Sequence, residues 1–569
     1  MTPETVHGDF DRATMMGRFD GTTFDVLVIG GGITGCGIAL DAASRGLTVA
    51  LVERDDFASG TSSKSSKLVH GGLRYLQQGD VLLVKEALRE RQRLLDNAPH
   101  LVSPLPFLIP VLTKDGPVSA RIAKALRSAL WMYDVSGGWR IGHRFRRLGA
   151  AEALAHCPTL PADRLSAGFV YYDAEADDAR LTLAIARTAA AHGAVVANRC
   201  EVVDLTSDPD GSITGATVLD RLDGSRRTIT ARCVVSATGV WVDDVRSLDP
   251  SATPSGSNSV RPAKGVHITV PWELVRNDIA VVIAVPKDRR SLFLVPWGRR
   301  PDGTFSHCYV GTTDTEYHGD VDEPHTDADD LDYVLRALAH SITPSTGKPI
   351  GIDDVTAVWA GLRPLVTDAS SERTADLSRR HRISVSDAGL VSVTGGKLTT
   401  YRQMAEDTVD VVMDRLDRPV SRRRGRSVTA RLRLVGSTSS RRIDRRIDRR
   451  SDHLTSRHGG EAPAVARLVE TDPTLGEPLV PGLPYLRAEA VHAVRHEMAM
   501  TLDDVLVRRT RAHLFDRSAC RAAAPDVAAL MGSELGWSSA RITEEIDAYL
   551  AVCDAEDRAA RATNGGTTT

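Results

Sequence analysis

The run Gly30-Gly31-Gly32-Ile33-Thr34-Gly35 places glycines at the first, third and sixth positions of a GxGxxG pattern. Glycine allows a tight turn and lets the backbone come close to a pyrophosphate. A helix that opens there offers unpaired N–H groups and positive potential to the anion. Glu53 lies 18 residues beyond Gly35, where a second apolar run ends. A carboxylate at that place can accept hydrogen bonds from ribose hydroxyls. The next stretch is rich in hydroxyls: Thr61, Ser62, Ser63, Lys64, Ser65, Ser66 and then Lys67. It can bond a pyrophosphate or a ribityl chain. His70 and Arg74 follow, one helical turn apart, with Gly71 and Gly72 between them. Imidazole takes up a proton near neutral pH, and guanidinium grips a phosphate with two parallel bonds. Taken singly, each has a plainer reading: a satisfied core histidine and a surface ion pair.

Further candidates stand far along the chain. They are Arg261-Pro262-Ala263-Lys264-Gly265-Val266-His267, Gly311 to Tyr317, Gly361-Leu362-Arg363-Pro364-Leu365 and Thr394 to Arg402. In the last, Gly395-Gly396-Lys397 follows a strand and precedes a helix. Lys397 there can stabilise negative charge on a substrate or on a reduced cofactor.

These residues need a frame. Phe24–Ile29 reads as an apolar strand, the pattern through Ala43 as a helix, and Leu47–Val52 as a second strand. Together they form one βαβ unit, with Glu53 closing it in the expected order. Val81–Leu95 has helical spacing, and another helix is expected near 179–191. Cys233–Ala237 is a strand ending in Thr238-Gly239. The chain holds a single GxGxxG, so a second nucleotide domain for NAD(P)H is not evident and a resident FAD is favoured. Residues 484–553 read as helical throughout. The segment 441–450, RRIDRRIDRR, reads as a solvated charged helix, with a nucleic-acid or acidic-lipid patch as the alternative.

Composition bounds the rest. A chain of 569 residues exceeds what one core supports, so two or three domains are expected. A net charge of −3 gives no basic excess for nucleic acid, so any anion site must be local. The seven cysteines are scattered with no CxxC pair, which argues against zinc and against a disulfide framework. No metal site is expected. The N-terminus has no secretory pattern. No uncharged apolar run reaches the length needed to span a bilayer, while attachment to a membrane surface stays open.

The motifs GGGITGCGIALDAASRGL, TSSKSSKLVHGGLRYLQ, RPAKGVH, GTTDTEY, GLRPL and GGKLTTYR stand in the order of one family. So do Asp503-Asp504-Val505-Leu506 and Arg508-Arg509-Thr510. From about residue 24 to 550 the chain resembles FAD-dependent glycerol-3-phosphate dehydrogenases of the aerobic, quinone-linked type. SSKLVHGGLRYL with GGKLTTYR separates these from other flavoproteins of the glycine/amino-acid-oxidase kind.

The resemblance implies an α/β fold with a two-domain FAD-binding region, a β-sheet substrate cap and a C-terminal all-helical domain. Residues 1–23 would be a flexible leader and 24–412 the oxidoreductase region. Within that region the FAD-binding segments would be about 24–100, 174–250 and 387–412, and the cap about 101–173 and 251–386. Residues 413–553 would be the helical domain and 554–569 a disordered tail. Cofactor contacts are expected at Gly30, Gly31, Gly32, Thr34, Gly35, Glu53, Arg54, Thr61, Ser62, Ser63, Ser66, Lys67, Val202, Ala237, Thr238, Gly239, Gly395, Gly396, Lys397, Leu398 and Thr399. Catalysis is expected from His70, Arg363 and Lys397. Substrate contacts are expected at Arg74, Tyr75, His267, Arg379 and Thr399, with Arg380 or Arg382 as alternatives to Arg379.

The implied reaction oxidises sn-glycerol 3-phosphate to dihydroxyacetone phosphate by hydride transfer to FAD, with His70 as first choice of base and His267 as second. A membrane quinone would then take the electrons, with peripheral contact at the cytoplasmic face and a homodimer left open. The alternative acceptor is oxygen, as in glycerol-3-phosphate oxidase. A flavin-binding interaction protein without catalysis is a remoter reading, which the retained Arg74, Arg363 and Lys397 disfavour.

Overall fold

The computed structural model describes residues 10–73, 80–113, 118–119, 123–252, 260–288, 290–366, 381–417, 425–438 and 453–561. Among these, two large sheets carry the architecture. The first has β1 (Thr23–Ile29) near its centre, parallel to β2 (Val49–Val52) on one side and to the strand Arg226–Ser236 on the other. Val195–Ala197 extends it in parallel beyond β2, and Val391–Thr394 beyond Arg226–Ser236. Every residue of β1 after Thr23 is buried, as both faces of a parallel sheet under helices require. Helix α1 (Ile33–Ser44) packs with Asp178–Ala191 and Tyr401–Arg415 over this sheet.

The second sheet is the cap. Val102–Leu112 pairs antiparallel with Leu165–Ala176 over most of its length, and Val260–Pro271 runs between Ala357–Val366 and Phe305–Gly311. Its core is separate, built on Ile268, Val270, Leu292, Leu294, Val310 and Val358. A third core lies among the C-terminal helices Arg487–Glu497, Arg517–Leu535 and Ser539–Arg561.

Several expected boundaries shift. The leader is not loose from residue 10 onward. Asp11 caps a short helix at Arg12–Gly17, and Phe10, Met15, Met16 and Phe19 are buried in the core of the cofactor domain. Those apolar residues are spaced to bury one face, which the polar residues around them mask in a linear reading. At the other end, Ser539–Arg561 stays helical past residue 553. The helical reading of 484–553 breaks at Met498, which adopts a left-handed backbone, and a π-helical turn spans Asp504–Arg509. Arg382–Val385, expected in the cap, is an antiparallel partner of Val391–Thr394 in the cofactor sheet. Leu68–Val69, expected with the cofactor domain, pairs with the cap strand Leu165–Ala176. A local hairpin decides the first case, and a long-range antiparallel pairing with Ala174 and Glu175 decides the second. The RRIDRRIDRR segment lies outside the described residues.

Candidate active site

A cavity of about 700 Å³ lies where the carboxyl ends of β1, β2 and Val391–Thr394 meet the cap sheet. This is the usual ligand position of a doubly wound sheet, and the size suits a cofactor with part of a substrate. Gly30, Gly32, Ile33 and Thr34 form one wall. Gly35 is there for steric reasons: a Cβ would lie 1.9 Å from the carbonyl oxygen of Gly30. Gly32, the residue that starts α1, brings no capping side chain of its own. The amide of Ile33 donates instead to Ser62 Oγ at 2.9 Å, which ties the hydroxyl-rich loop to the helix start.

Glu53 accepts from the Gly31 amide at 2.6 Å and from the Asp55 amide at 2.8 Å. Burial raises its pKa to about 7, against the pull of those two amides. Arg54 stacks over Trp241 at 5.0 Å and donates to Asp322. Thr61, Ser62, Ser66, Val202, Ala237, Thr238 and Gly239 line the same cavity. The cradle therefore fits a dinucleotide: a helix start with no side chain at its first residue for the pyrophosphate, a carboxylate at the strand end and hydroxyls opposite.

At the other end the cavity is lined by His70, His267, Arg363, Gly395, Gly396, Lys397, Leu398 and Thr399. These come from four distant segments, and the fold brings them together. Arg363 sits on the strand Ala357–Val366 and donates to Asp314 Oδ1 at 3.1 Å, Thr312 Oγ1 at 3.0 Å and the Thr313 carbonyl at 3.1 Å. Its guanidinium is thus fixed rather than free to swing. Thr399 Oγ1 accepts from the His70 amide at 3.2 Å, which joins the histidine loop to the turn carrying Lys397.

His267 is buried and lies flat against Trp359, 4.7 Å between ring centroids. Burial, with Lys67 and Arg363 nearby, holds its pKa well below the usual histidine range, so the ring is neutral. One ring nitrogen, Nε2, meets Ser66 Oγ at 2.9 Å, and Nδ1 is buried with no partner among the described residues.

Some predicted contacts fall elsewhere. Lys67 does not line the cavity. It is buried against Asp178 at 3.4 Å and over the Trp359 ring at 4.6 Å, and burial together with Arg511 lowers its pKa to about 8. Ser63 is also buried away from the cavity, and its carbonyl accepts from Arg511. The reason is local: Lys67 has a left-handed backbone, so the chain turns back at this point. Gly31 and Gly35 shape the turn rather than line the space. Arg74, Tyr75, Arg379 and Arg380 lie outside the described residues.

Cys200, Glu201, Trp241, Asp244 and Ser247 also line the cavity and were not expected. Glu201 and Cys200 enter because the Cys200 amide donates to the Glu53 carbonyl, a cross-strand contact with no motif of its own. His458, His492 and Glu497 bring ligand atoms within 4.8 Å of one another. Arg180, however, donates to both Glu497 oxygens and to His458 Nδ1, so a cation already holds that place.

Residues 25–402 match the family model described as FAD dependent oxidoreductase. Residues 427–542 match that of the C-terminal domain of alpha-glycerophosphate oxidase. The chain is 38% identical over 565 residues to glycerol-3-phosphate dehydrogenase 2 of Mycobacterium tuberculosis, covering 97% of this chain and 92% of that one. It is 38% identical over 566 residues to the mitochondrial glycerol-3-phosphate dehydrogenase of Rattus norvegicus, covering 94% and 74%. A solved glycerol-3-phosphate dehydrogenase from Bacillus halodurans complexed with FAD superposes with a TM-score of 0.73 at 30% identity, covering 97% and 98%. An L-alpha-glycerophosphate oxidase from Mycoplasma pneumoniae, at 17% identity and a TM-score of 0.52, shares the fold. With a glycine cradle, a strand-end carboxylate and matches over nearly the whole chain, this protein belongs to the family of FAD-dependent glycerol-3-phosphate dehydrogenases.

Proposed function

We propose that the chain oxidises sn-glycerol 3-phosphate to dihydroxyacetone phosphate and delivers the electrons to a membrane quinone. One observation carries the substrate assignment: Arg363 and Lys397 line the same cavity as the dinucleotide cradle, with His70 beside them. A phosphate dianion needs cations at that end, and a rigid guanidinium orients it through paired hydrogen bonds. The names of the relatives agree with this substrate.

In the reaction the C2–H bond and the O–H bond of the 2-hydroxyl break and a carbonyl forms. FAD, when bound, supplies the acceptor for two electrons and the carbon-bound hydrogen. His70 takes the hydroxyl proton, and Arg363 and Lys397 stabilise the negative charge that develops on that oxygen. His267, kept neutral, holds Ser66 at the cavity wall. His70→Ala is expected to slow flavin reduction by about 10²–10⁴-fold. A near-normal rate in stopped flow would remove His70 as base and turn attention to His267.

The quinone reading draws on a surface feature. Leu82 is 74% exposed and Trp131 59%, and Met132, Val135 and Trp139 are exposed too. The helix Ala123–Val135 carries three of these, and Lys124 and Arg127 on it are exposed too, as are Arg144, Arg146 and Arg147 nearby. Aromatic and aliphatic side chains flanked by basic ones suit the interface of an acidic bilayer. From the same helix, Tyr133 accepts from the Gly71 amide at 3.0 Å, next to His70. No helix among the described residues is long and apolar enough to cross a membrane. The exposed apolar and basic side chains are what support the peripheral attachment we propose at the inner face of the cell membrane.

Anaerobic mixing with sn-glycerol 3-phosphate should bleach the flavin absorbance, and an unchanged spectrum would refute the substrate. With substrate in air, a quinone analogue should be consumed without stoichiometric peroxide. The C-terminal match carries the name of an oxidase, and stoichiometric peroxide would make oxygen the acceptor instead.

A further inference from the structure

Behind the cofactor loops, on the side away from the cavity, lies a dense set of buried charges. Asp56 is fully buried three residues after Glu53. Its carboxylate accepts from Arg508 Nε at 2.7 Å, from Arg509 Nη1 at 2.6 Å and Nη2 at 2.9 Å, and from Asn198 Nδ2 at 3.1 Å. The two arginines stand in the π-helical turn Asp504–Arg509, more than 450 residues away in sequence. Asp178 is a second buried anchor. It accepts from Arg511 Nη2 at 2.8 Å, and from the amide and hydroxyl of Ser65 at 3.1 and 2.7 Å. Arg511 also donates to the Ser63 carbonyl at 2.7 Å. Arg199 reaches Asp504 at 2.7 Å, while its own amide donates to the Asp55 carbonyl at 2.8 Å.

One short segment, Asp504–Arg511, thus grips two loops at once. The loop at 53–56 carries Glu53 and Arg54 into the cavity, and the loop at 61–66 carries Thr61, Ser62 and Ser66. Arg509 and Arg511 line no part of that cavity, so they can act only through the loops. Burying several charges costs far more than a packed apolar contact unless each is paired and bonded, and a broken member leaves an uncompensated charge. Such an arrangement is stiff and specific about position. The Asp56 carboxyl is correspondingly held below the usual carboxylate range: burial raises it, and Arg509, Arg508 and Arg199 outweigh that.

We propose that the C-terminal helical domain is the latch of the cofactor site. Arg508, Arg509 and Arg511 are positioning residues that hold the two FAD-contacting loops through Asp56 and Asp178. FAD binding and docking of the domain are therefore coupled, and each strengthens the other by the same factor. The coupling rests on the flavin site alone and is independent of the substrate.

The test uses the full-length chain. Apoprotein is prepared, and FAD affinity is measured by quenching of flavin fluorescence for wild type, Arg509→Gln and the milder Arg511→Lys. Arg509→Gln is expected to weaken FAD by about tenfold or more, with Arg511→Lys between it and wild type. At saturating FAD, kcat and KM for sn-glycerol 3-phosphate should stay within about twofold, because neither residue touches the reacting atoms. The reciprocal arm needs no variant. Amide hydrogen exchange across 504–511 should slow when FAD is added to wild-type apoprotein. Unchanged exchange there, or unchanged FAD affinity in a folded Arg509→Gln protein, would overturn the proposal. If Arg509→Gln fails to fold, Arg511→Lys and the exchange experiment decide it alone.

Discussion

The two walls of the cofactor site are built on different physics. The wall at Gly30–Gly35 is steric and local: a missing side chain lets one backbone carbonyl approach another residue, and the residue that starts the helix has no side chain. Its Gly30–Gly35 contact lies within one βαβ unit. The opposite wall, at residues 53–56 and 61–66, is backed by buried ion pairs with the C-terminal domain. The first wall is stiff because atoms cannot overlap. The second is stiff because charges cannot be left unpaired. A steric wall should ignore pH and a charged wall should not.

The largest effect tests the steric wall. Gly35→Val forces carbon into the space of the Gly30 carbonyl, and the turn must open. The purified protein is expected to be colourless, with no flavin absorbance and no activity on added FAD. Retention of bound flavin would show that the turn is more pliable than its contacts imply.

An intermediate effect belongs to the charged side. Arg187 holds Glu461 through two short bonds, at 2.6 and 2.7 Å, across the seam between the two domains. Burial raises the Glu461 pKa, but Arg187 outweighs it and lowers the group from 4.5 to about 2. A lowered carboxylate adds stability that is fully present above its unfolded value and is lost as the pH falls through the folded one. The seam should therefore weaken between pH 4.5 and about 2, by at most a few kcal/mol from this group. Thermal unfolding followed over that window should show a falling midpoint, and Glu461→Gln should flatten the slope. A slope unaffected by the substitution would mean that other carboxylates carry the acid response.

The smallest effect lies inside the site. Thr399→Val keeps the shape of the side chain and removes the acceptor for the His70 amide. A single bond of this kind is worth about 1 kcal/mol, so flavin reduction at saturating FAD should slow by about fivefold. A loss as large as that expected for His70→Ala would make Thr399 part of the chemistry rather than a support for the loop.

Much of the cradle was legible in the chain because its determinants are contiguous. Gly30, Gly32, Gly35 and Glu53 are separated by distances that one strand, one turn and one helix must produce. The family motifs named Arg363, Lys397, Thr399 and His70, and all four line one cavity. The misplacement of Lys67 and Ser63 has a physical cause: a left-handed residue reverses the chain within a motif, and no pattern of residue types announces it. Cys200, Glu201 and Trp241 were missed because each enters through a tertiary neighbour. The buried helix at Arg12–Gly17 was masked by its polar flanks.

The sequence by itself determined the glycine turn, the family and two of the cations, Arg363 and Lys397, that line the cavity. Short-range sterics and residue chemistry suffice for these. Only the tertiary structure decided which buried charges face each other across the domain seam. Asp56 and Arg509 become partners through long-range packing alone, and the free energy of a buried pair exists only once both have been drawn out of water together.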